Sequence, residues 1–161
     1  MGTNNTGLEV GQKISWSAQA IVDGAQRQLS DQDLNGDAYI LYFYPKDNTP
    51  GCTTQACDFR DHMSRVESLG YRVIGCSPDS LRSHENFQTK QSFSFTLLSD
   101  PEHSVAEAFG VWREKKNYGR TYMGIVRSTF VISSEGLITH IFDNVRAKGH
   151  VERLINTLAE E

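Results

Sequence analysis

The sequence has no long hydrophobic run and no tract of basic residues. No apolar stretch approaches the roughly 18 residues that a membrane-spanning helix requires, so we do not expect a membrane protein. Its 16 Lys and Arg are outnumbered by 20 Asp and Glu among 161 residues, which leaves a net charge of −4. Because the basic residues are not gathered together, nucleic acid is not expected as a partner.

Cysteine is also scarce, with three in the whole chain. The polar N-terminus lacks the hydrophobic core of a secretory signal peptide, and we expect residues 1–7 to form a flexible leader. A cytoplasmic protein is therefore expected, in which thiols serve chemistry and not a disulfide scaffold. The length of 161 residues favours a single domain spanning residues 1–161.

Strand-like and helix-like segments alternate along the chain. The last helix carries the apolar stripe Val151, Leu154, Ile155 and Leu158, which has helical spacing. Alternating elements followed by a hairpin and a final helix predict an α/β fold with a mixed central sheet flanked by helices. Strands are expected over residues 14–20, 38–44, 71–75, 128–132 and 137–142, and helices over residues 52–69, 80–90, 102–109 and the C-terminal segment.

Cys52 lies where a buried strand gives way to a helix. Residues 38–44 are continuously apolar or aromatic, as a strand covered on both faces must be. Two prolines and a glycine then stop the strand, and from Phe59 to Leu69 the apolar residues follow a helical period. Cys52 is therefore expected in the first turn of that helix, where free backbone N–H groups and the helix dipole favour an anion. A thiol in such a position is favoured as the nucleophilic thiolate.

The segment from Pro45 through Thr49 to Cys52 resembles the active-site loop of the peroxiredoxins. Its continuation to residue 61, TTQACDFRD, is similar to the Q-type subgroup, also called bacterioferritin comigratory proteins. Residues 122–132 resemble the segment that carries the active-site arginine of that family, here Arg127, and residues 97–101 are typical of the subgroup. The resemblance spans roughly residues 8 to 160, and it implies a thioredoxin-like fold with no metal, haem or flavin.

The resemblance also implies roles for these side chains in the reduction of hydrogen peroxide and alkyl hydroperoxides. Cys52 would attack the peroxide and become a sulfenic acid. Arg127 would hold the sulfur and a peroxide oxygen with its fixed fork of donors. Thr49 would accept a proton from the peroxide and donate toward the sulfur, and Pro45, which has no N–H, would shield the sulfur from water.

Cys57 lies five residues after Cys52 on the same predicted helix. Five residues turn a helix by about 500°, which leaves the two Cα atoms about 8 to 9 Å apart. A disulfide needs less than about 7 Å, so an intact helix prevents the bond. In Q-type relatives with this spacing the helix unwinds, and the resemblance implies that Cys57 is the resolving cysteine. It also implies that a thioredoxin-like dithiol donor reduces the resulting disulfide, and that the enzyme is a monomer. The alternative is a buried Cys57 and an external resolving thiol.

Several residues support more than one interpretation. Cys76 follows an apolar strand and is interpreted as a packing residue, with a role as alternative resolving thiol left open. Arg60 and Asp61 are interpreted as an ion pair or a solvated helix face. The five histidines, which are His62, His84, His103, His140 and His150, are interpreted as surface or core-edge residues because a metal site needs more ligands at suitable spacing.

Two rival functions remain at this stage. A thioredoxin-type oxidoreductase normally has Cys-x-x-Cys, whereas four residues separate Cys52 from Cys57. A redox-sensing binding module would use the unwinding of the helix to expose a partner surface. Peroxide turnover compared with insulin disulfide reduction separates a peroxidase from a thioredoxin-type oxidoreductase. A sensor predicts slow turnover with oxidation-dependent binding of a partner.

Overall fold

Nine strands and five α-helices form the part of the chain that the computed structural model describes, residues 4–161. The strands are β1 (Ser17–Val22), β2 (Ala25–Ser30), β3 (Ala38–Phe43), β4 (Tyr71–Ser77), β5 (Thr96–Ser99), β6 (Trp112–Asn117), β7 (Arg120–Ile125), β8 (Ser128–Ile132) and β9 (Ile138–Phe142). The helices are α1 (Pro50–Asp61), α2 (Met63–Ser68), α3 (Leu81–Gln91), α4 (Ser104–Ala108) and α5 (His150–Ala159), with a 3₁₀ turn at Asp31–Leu34.

Seven strands form the central sheet in the order β2-β1-β5-β4-β3-β8-β9, and β6 pairs with β7 in a separate hairpin. Strand β4 runs parallel to both of its neighbours, β3 and β5, and the remaining pairs of the sheet are antiparallel. The predicted α/β fold with a mixed central sheet is therefore confirmed.

Strand β3, which lies between β4 and β8, divides its side chains between two apolar cores, because successive residues of a strand point to opposite faces. Ile40 and Tyr42 join a core made with α1, α3 and α5. Tyr39, Leu41 and Phe43 join a second core on the other face, which includes α4. The predicted stripe of the last helix packs in the first of these cores, since Val151, Leu154, Ile155 and Leu158 are all buried there.

The helix expected over residues 52–69 is wrong as one element, because the structure divides it into α1 and α2. His62, between them, has φ −108° and ψ 9°, outside the helical region, and its amide donates to carbonyls at Asp58 and Phe59. The apolar period continues across this break, which is why the pattern did not reveal it. Ser80 caps α3 as predicted, since its side chain accepts a hydrogen bond from the amide of Ser83.

Four strands were not predicted from the sequence. β2 is AQRQLS and lies mostly exposed, and β6 is WREKKN and has no fully buried residue. Neither shows the apolar alternation of a half-buried strand. β5 has four residues, and β7 continues the polar hairpin begun by β6. The first strand was predicted over residues 14–20 and lies at Ser17–Val22.

Residues 4–7 differ from the expected flexible leader, because they lie against the rest of the protein. The amide of Asn5 donates to Asp143 Oδ2 at 2.7 Å, and Thr6 is buried. Gly110 has φ +69°, and a Cβ there would collide with the carbonyl oxygen of Thr6, so glycine permits this close passage. The rest of the predicted leader, residues 1–3, lies outside the described residues. Within residues 4–161, no helix has both the length and the apolar character to cross a membrane.

Candidate active site

Cys52 lies in the first turn of α1, as predicted. Thr49 is the N-cap residue and Pro50 opens the helix, where its fixed φ and missing N–H carry no cost. The first backbone N–H groups of a helix have no partner within it, so this end of α1 favours negative charge. The Cys52 side chain is only 2% exposed, which keeps bulk water away from the sulfur.

Arg127 is distant from Cys52 in the sequence but contacts its sulfur in the folded chain. Strand β3 pairs with β8 so that Phe43 lies opposite Ser128. The chain leaving β3 toward α1 and the chain entering β8 therefore meet at one edge of the sheet. Arg127 Nη2 donates to Cys52 Sγ at 3.2 Å, which brings together the predicted nucleophile and the predicted cation.

Gln55 is a site residue that the sequence analysis missed. Its Oε1 accepts a hydrogen bond of 2.6 Å from Arg127 Nη1, and its side chain is fully buried. One guanidinium thus spans Gln55 and Cys52 with two different nitrogens. Since these residues are three apart on α1 and share one face of the helix, that spacing is a signal that could have identified Gln55.

Gly51 provides the room for the Arg127 guanidinium. A Cβ at this position would lie 3.2 Å from Arg127 Nη2 and 3.7 Å from the Cβ of Ala147. The contact with Arg127 would be tighter than ordinary packing, whereas the contact with Ala147 would be an ordinary van der Waals contact. The absence of a side chain therefore lets the guanidinium approach the start of α1 and the sulfur of Cys52.

Thr49 and Pro45 flank this contact in the loop between β3 and α1. The Thr49 hydroxyl donates to the carbonyl oxygen of Lys46 at 2.8 Å. A hydroxyl has one proton, so Thr49 keeps its lone pairs free as acceptors, and the predicted donation from Thr49 toward the sulfur is not made here. Pro45 lines the same pocket as Arg127, and its role as a shield of the sulfur stays a prediction.

That pocket has a volume of about 670 Å³ and is rich in basic side chains. Lys115 lines it, and its ammonium donates to the carbonyl oxygen of Ile125 at 2.8 Å. Burial, together with the charge of Arg127, lowers the pKa of Lys115 below its ordinary value. The charged side chains on the wall of the pocket beside Arg127 are therefore mainly basic.

A partly buried ion pair secures the hairpin that carries this basic wall. Arg113 donates to both oxygens of Asp143, at 2.7 and 3.1 Å, in the bidentate geometry that suits a guanidinium. Although burial acts to raise the pKa of Asp143, hydrogen bonds from Arg113, Asn5 and Ser128 hold it below its ordinary value. Since Ser128 follows Arg127 directly, the pair also fixes the chain beside the site.

Cys57 lies on the same continuous helix as Cys52, as predicted, and all three cysteines are unbridged. Its side chain is half-buried, and its thiol donates to Gln91 Oε1 at 3.5 Å, at the end of α3. Cys57 therefore faces α3, whereas Cys52 faces Arg127. Cys57 belongs to the region of the site but does not touch its other members in this state.

Cys76 lies on the opposite face of the sheet from Cys52. It packs in the core that includes α4, whereas Cys52 packs in the core that includes α1. Burial, with a further contribution from Asp100, raises the pKa of the Cys76 thiol well above its ordinary value. The interpretation of Cys76 as an unreactive packing residue agrees with this position.

Two of the five histidines are fully buried, which corrects their assignment to the surface or core edge. His150 lies at the start of α5 with Nε2 2.9 Å from Thr129 Oγ1, and burial lowers its pKa to about 4. His84 is 0% exposed and lies between Asp47 and the carbonyl oxygen of Leu98. Arg60 and Asp61 form the predicted ion pair, at 2.9 Å.

Asp47, Asp79 and His84 are the set among residues 4–161 whose ligand atoms could surround a metal ion, all within 4.8 Å of one another. Those atoms already accept or donate hydrogen bonds within the protein. Asp47 receives the hydroxyls of Tyr44 and Ser83, and it contacts His84 Nδ1. We therefore treat the cluster as a hydrogen-bond network beside the loop of Thr49.

Comparison with known proteins gives a consistent result along the chain. Residues 10–141 match the AhpC/TSA family. Peroxiredoxin Bcp of Bacillus subtilis (strain 168) is 46% identical over 153 residues, which cover 95% of this chain and 96% of that protein. A solved structure of PrxQ from Xylella fastidiosa gives a TM-score of 0.86 at 33% identity, covering 99% of this chain and 98% of that one.

A second solved structure comes from work on alkyl peroxide reduction by the bacterioferritin comigratory protein of Xanthomonas campestris. It gives a TM-score of 0.81 at 36% identity and covers 90% of this chain and 90% of that one. The expected thioredoxin-like fold is confirmed by these similarities.

Proposed function

The chain belongs to the AhpC/TSA family, as a peroxiredoxin of the bacterioferritin comigratory type, and we propose that Cys52 is the residue with which it attacks peroxides. It is a thiol-dependent peroxidase, an oxidoreductase. The contact of 3.2 Å between Arg127 Nη2 and Cys52 Sγ carries the assignment of the nucleophile, because a permanent cation beside a thiol at a helix N-terminus favours the thiolate.

In the first step, the Cys52 thiolate attacks the terminal oxygen of a hydroperoxide. A sulfur–oxygen bond forms as the oxygen–oxygen bond breaks, so sulfur loses two electrons and the peroxide gains them. The leaving oxygen departs as hydroxide or alkoxide and takes a proton from solvent. Arg127 would stabilise the negative charge that develops on this oxygen, since it cannot lose its own proton.

Thr49 and Pro45 would prepare the substrate for that attack. The free lone pairs of Thr49 can accept the hydroxyl proton of the peroxide and hold the oxygen–oxygen bond in line with the sulfur. Pro45 supplies an apolar, donor-free edge at the mouth of the pocket, which keeps water from competing. Gln55 would keep Arg127 in place through its hydrogen bond of 2.6 Å.

In the second step, Cys57 would attack the sulfenic sulfur of Cys52. A disulfide forms as the sulfur–oxygen bond breaks, and water leaves. Because both residues lie on α1, the first turns of the helix must unwind before the sulfurs can meet. Unwinding a few terminal residues is a low-energy local event in most proteins.

The remaining parts of the cycle are proposals from the family. A thioredoxin-like dithiol would reduce the Cys52–Cys57 disulfide by exchange and would itself become a disulfide. We further propose that the chain forms one domain and acts as a monomer in the cytoplasm. No resident metal, haem or flavin takes part in the steps proposed here.

The test is to oxidise the protein with an equimolar amount of hydrogen peroxide and identify the bridged cysteines by peptide mass spectrometry. A Cys52–Cys57 bridge with one peroxide consumed per chain is the expected result. Cys52→Ser should consume no peroxide in a thioredoxin-coupled assay while keeping the far-ultraviolet circular dichroism of the parent. Substantial peroxide turnover by that variant would contradict the assignment of Cys52.

A further inference from the structure

One peptide group in the active-site loop is held from both sides. The carbonyl oxygen of the Lys46–Asp47 peptide accepts the hydroxyl of Thr49 at 2.8 Å. The N–H of the same peptide donates to Asp79 Oδ2 at 2.7 Å. Because a peptide group is planar, whatever fixes its N–H also fixes the direction of its carbonyl. The orientation of the Thr49 hydroxyl is thereby linked to Asp79.

Asp79 is itself fixed by the end of β4. Ser77 Oγ donates to Asp79 Oδ2 at 2.6 Å, and the amide of Asp79 donates back to Ser77 Oγ at 3.2 Å. The first bond holds the carboxylate oxygen, and the second holds the Ser77 hydroxyl that donates to it. The N–H of Asp47 therefore meets an acceptor that does not rotate freely.

The side chain of Asp47 is anchored separately, on the side of α3. Asp47 Oδ1 accepts the hydroxyl of Tyr44 at 2.6 Å, and Oδ2 accepts that of Ser83 at 2.8 Å. His84 Nδ1 lies 2.7 Å from the same Oδ2, and His84 Nε2 lies 2.8 Å from the carbonyl oxygen of Leu98. Asp47 and His84 have side chains that are 1% and 0% exposed, so water does not compete for these bonds.

The donors and acceptors of this network determine which atoms carry protons. The Leu98 carbonyl can only accept, so His84 Nε2 carries a hydrogen. Burial raises the pKa of Tyr44 far above its ordinary value, and Asp47 raises it further, so Tyr44 remains a donor. Two hydroxyls donate to Asp47, one to each oxygen. A further hydrogen lies between His84 Nδ1 and Asp47 Oδ2, which are 2.7 Å apart, and it joins His84 to the network.

From this arrangement we propose that Asp47, Asp79 and His84 are positioning residues for the peroxidase reaction. They hold the Lys46–Asp47 peptide plane so that its carbonyl takes the single proton of Thr49. The lone pairs of Thr49 are then left to accept the proton of the incoming peroxide. The proposal rests on the proposed role of Thr49 in the reaction of Cys52.

Two substitutions of His84 separate its two hydrogen bonds. In His84→Asn, the amide nitrogen lies close to the place of Nδ1 and can still donate to Asp47. In His84→Gln, the amide nitrogen lies close to the place of Nε2 and can donate to the Leu98 carbonyl but not to Asp47. Both variants lose the imidazole ring, so each is a control for the packing change in the other.

The measurements are the rate of peroxide consumption in a single turnover and the rate of Cys52 alkylation by iodoacetamide. The alkylation rate depends on the amount of Cys52 thiolate and does not require the Thr49 hydroxyl. We expect His84→Gln to react with peroxide about tenfold more slowly, the effect of one lost hydrogen bond, at an unchanged alkylation rate. His84→Asn should stay within about twofold of the parent on both rates.

Three outcomes overturn the proposal. One is a parental peroxide rate in His84→Gln. Another is an equal loss of peroxide rate in both variants, which indicates a packing role. The third is a parallel loss of peroxide and alkylation rates, which indicates damage to the thiolate. If the parent itself does not react with peroxide, the proposed function fails, and that result is distinct from all three.

Asp79 gives a second test that does not depend on a buried position, since Asp79 is only partly buried. Asp79→Asn keeps an acceptor oxygen for the Asp47 N–H, whereas Asp79→Ala removes it. We expect about a tenfold loss of peroxide rate in Asp79→Ala alone, again with unchanged alkylation. A parental peroxide rate in Asp79→Ala overturns the proposal even if the His84 variants fail to fold.

Discussion

The guanidinium of Arg127 lies 3.2 Å from the sulfur of Cys52, although 75 residues separate the two in the chain. The pairing of β3 with β8 brings these segments to one edge of the sheet. Gly51 leaves the space in which the guanidinium lies, and Gln55 holds its other nitrogen. A permanent positive charge is thereby fixed beside the thiol that we propose as the nucleophile.

Removing the charge of Arg127 should slow the attack on peroxide. In Arg127→Met, a side chain of similar length loses every donor, so we expect about a 100-fold lower peroxide rate and a smaller thiolate fraction at neutral pH. Stopped-flow peroxide consumption and thiolate absorbance measure the two effects. Arg72→Met is the matched control, because Arg72 pairs with Asp37 at the surface. Unchanged rates in Arg127→Met would remove Arg127 from the site.

Adding one methyl group at Gly51 should displace Arg127 without removing it. The Cβ of Gly51→Ala would lie 3.2 Å from Nη2, so the guanidinium must shift by a few tenths of an ångström from its place beside Cys52. We expect about a tenfold lower peroxide rate with little change in stability, because alanine suits the first turn of a helix. Thr53→Ala, in the same turn, is the control. Parental peroxide kinetics in Gly51→Ala would show that the position of Arg127 is not critical.

Cys57 and Cys76 should differ completely in their effect on turnover. Cys57→Ser should react once with peroxide, then lose thioredoxin-dependent turnover and over-oxidise readily, because its sulfenic acid persists. Cys76→Ser should keep parental turnover, since that thiol lies in the core on the other face of the sheet. Mass spectrometry of the oxidised proteins and a coupled assay test both variants. The assignment of Cys57 fails if Cys76→Ser stops turnover and Cys57→Ser does not.

The buried His150 should make the protein less stable in acid. Its pKa is lowered from 6.5 to about 4 in the folded chain, so below pH 6.5 the unfolded chain binds a proton that the folded chain does not. The free energy of unfolding should therefore fall as the pH drops from 6.5 toward 4, by about 3 kcal/mol from this residue.

His150→Gln should remove most of that dependence, because glutamine does not titrate and can still bond Thr129. Urea unfolding at about pH 7 and about pH 4 compares the variant with the parent. His62→Gln removes an imidazole from a partly buried position and is the control. An equally steep loss of stability in His150→Gln would show that other groups cause the acid sensitivity.

Much of the fold followed from local pattern, and the departures have a common cause. The apolar run of β3 and the stripe of α5 were readable because each buries its residues at a regular period. The exposed strands β2 and β6 carry no such period, and they form because a neighbouring strand offers backbone hydrogen bonds. The break at His62 was hidden because α2 keeps burying the same face.

The sequence by itself determined that Cys52 begins a helix behind a buried strand, because strand, turn and helix signals all lie within a short segment of chain. It also determined that Cys57 shares that helix, since five residues is a local distance. Only the tertiary structure decided which distant groups surround these thiols. The order of strands in the sheet brought Arg127 to Cys52 and put Cys76 on the opposite face. Tertiary packing also buried His84 against Asp47, a contact between residues 37 apart that no local pattern records.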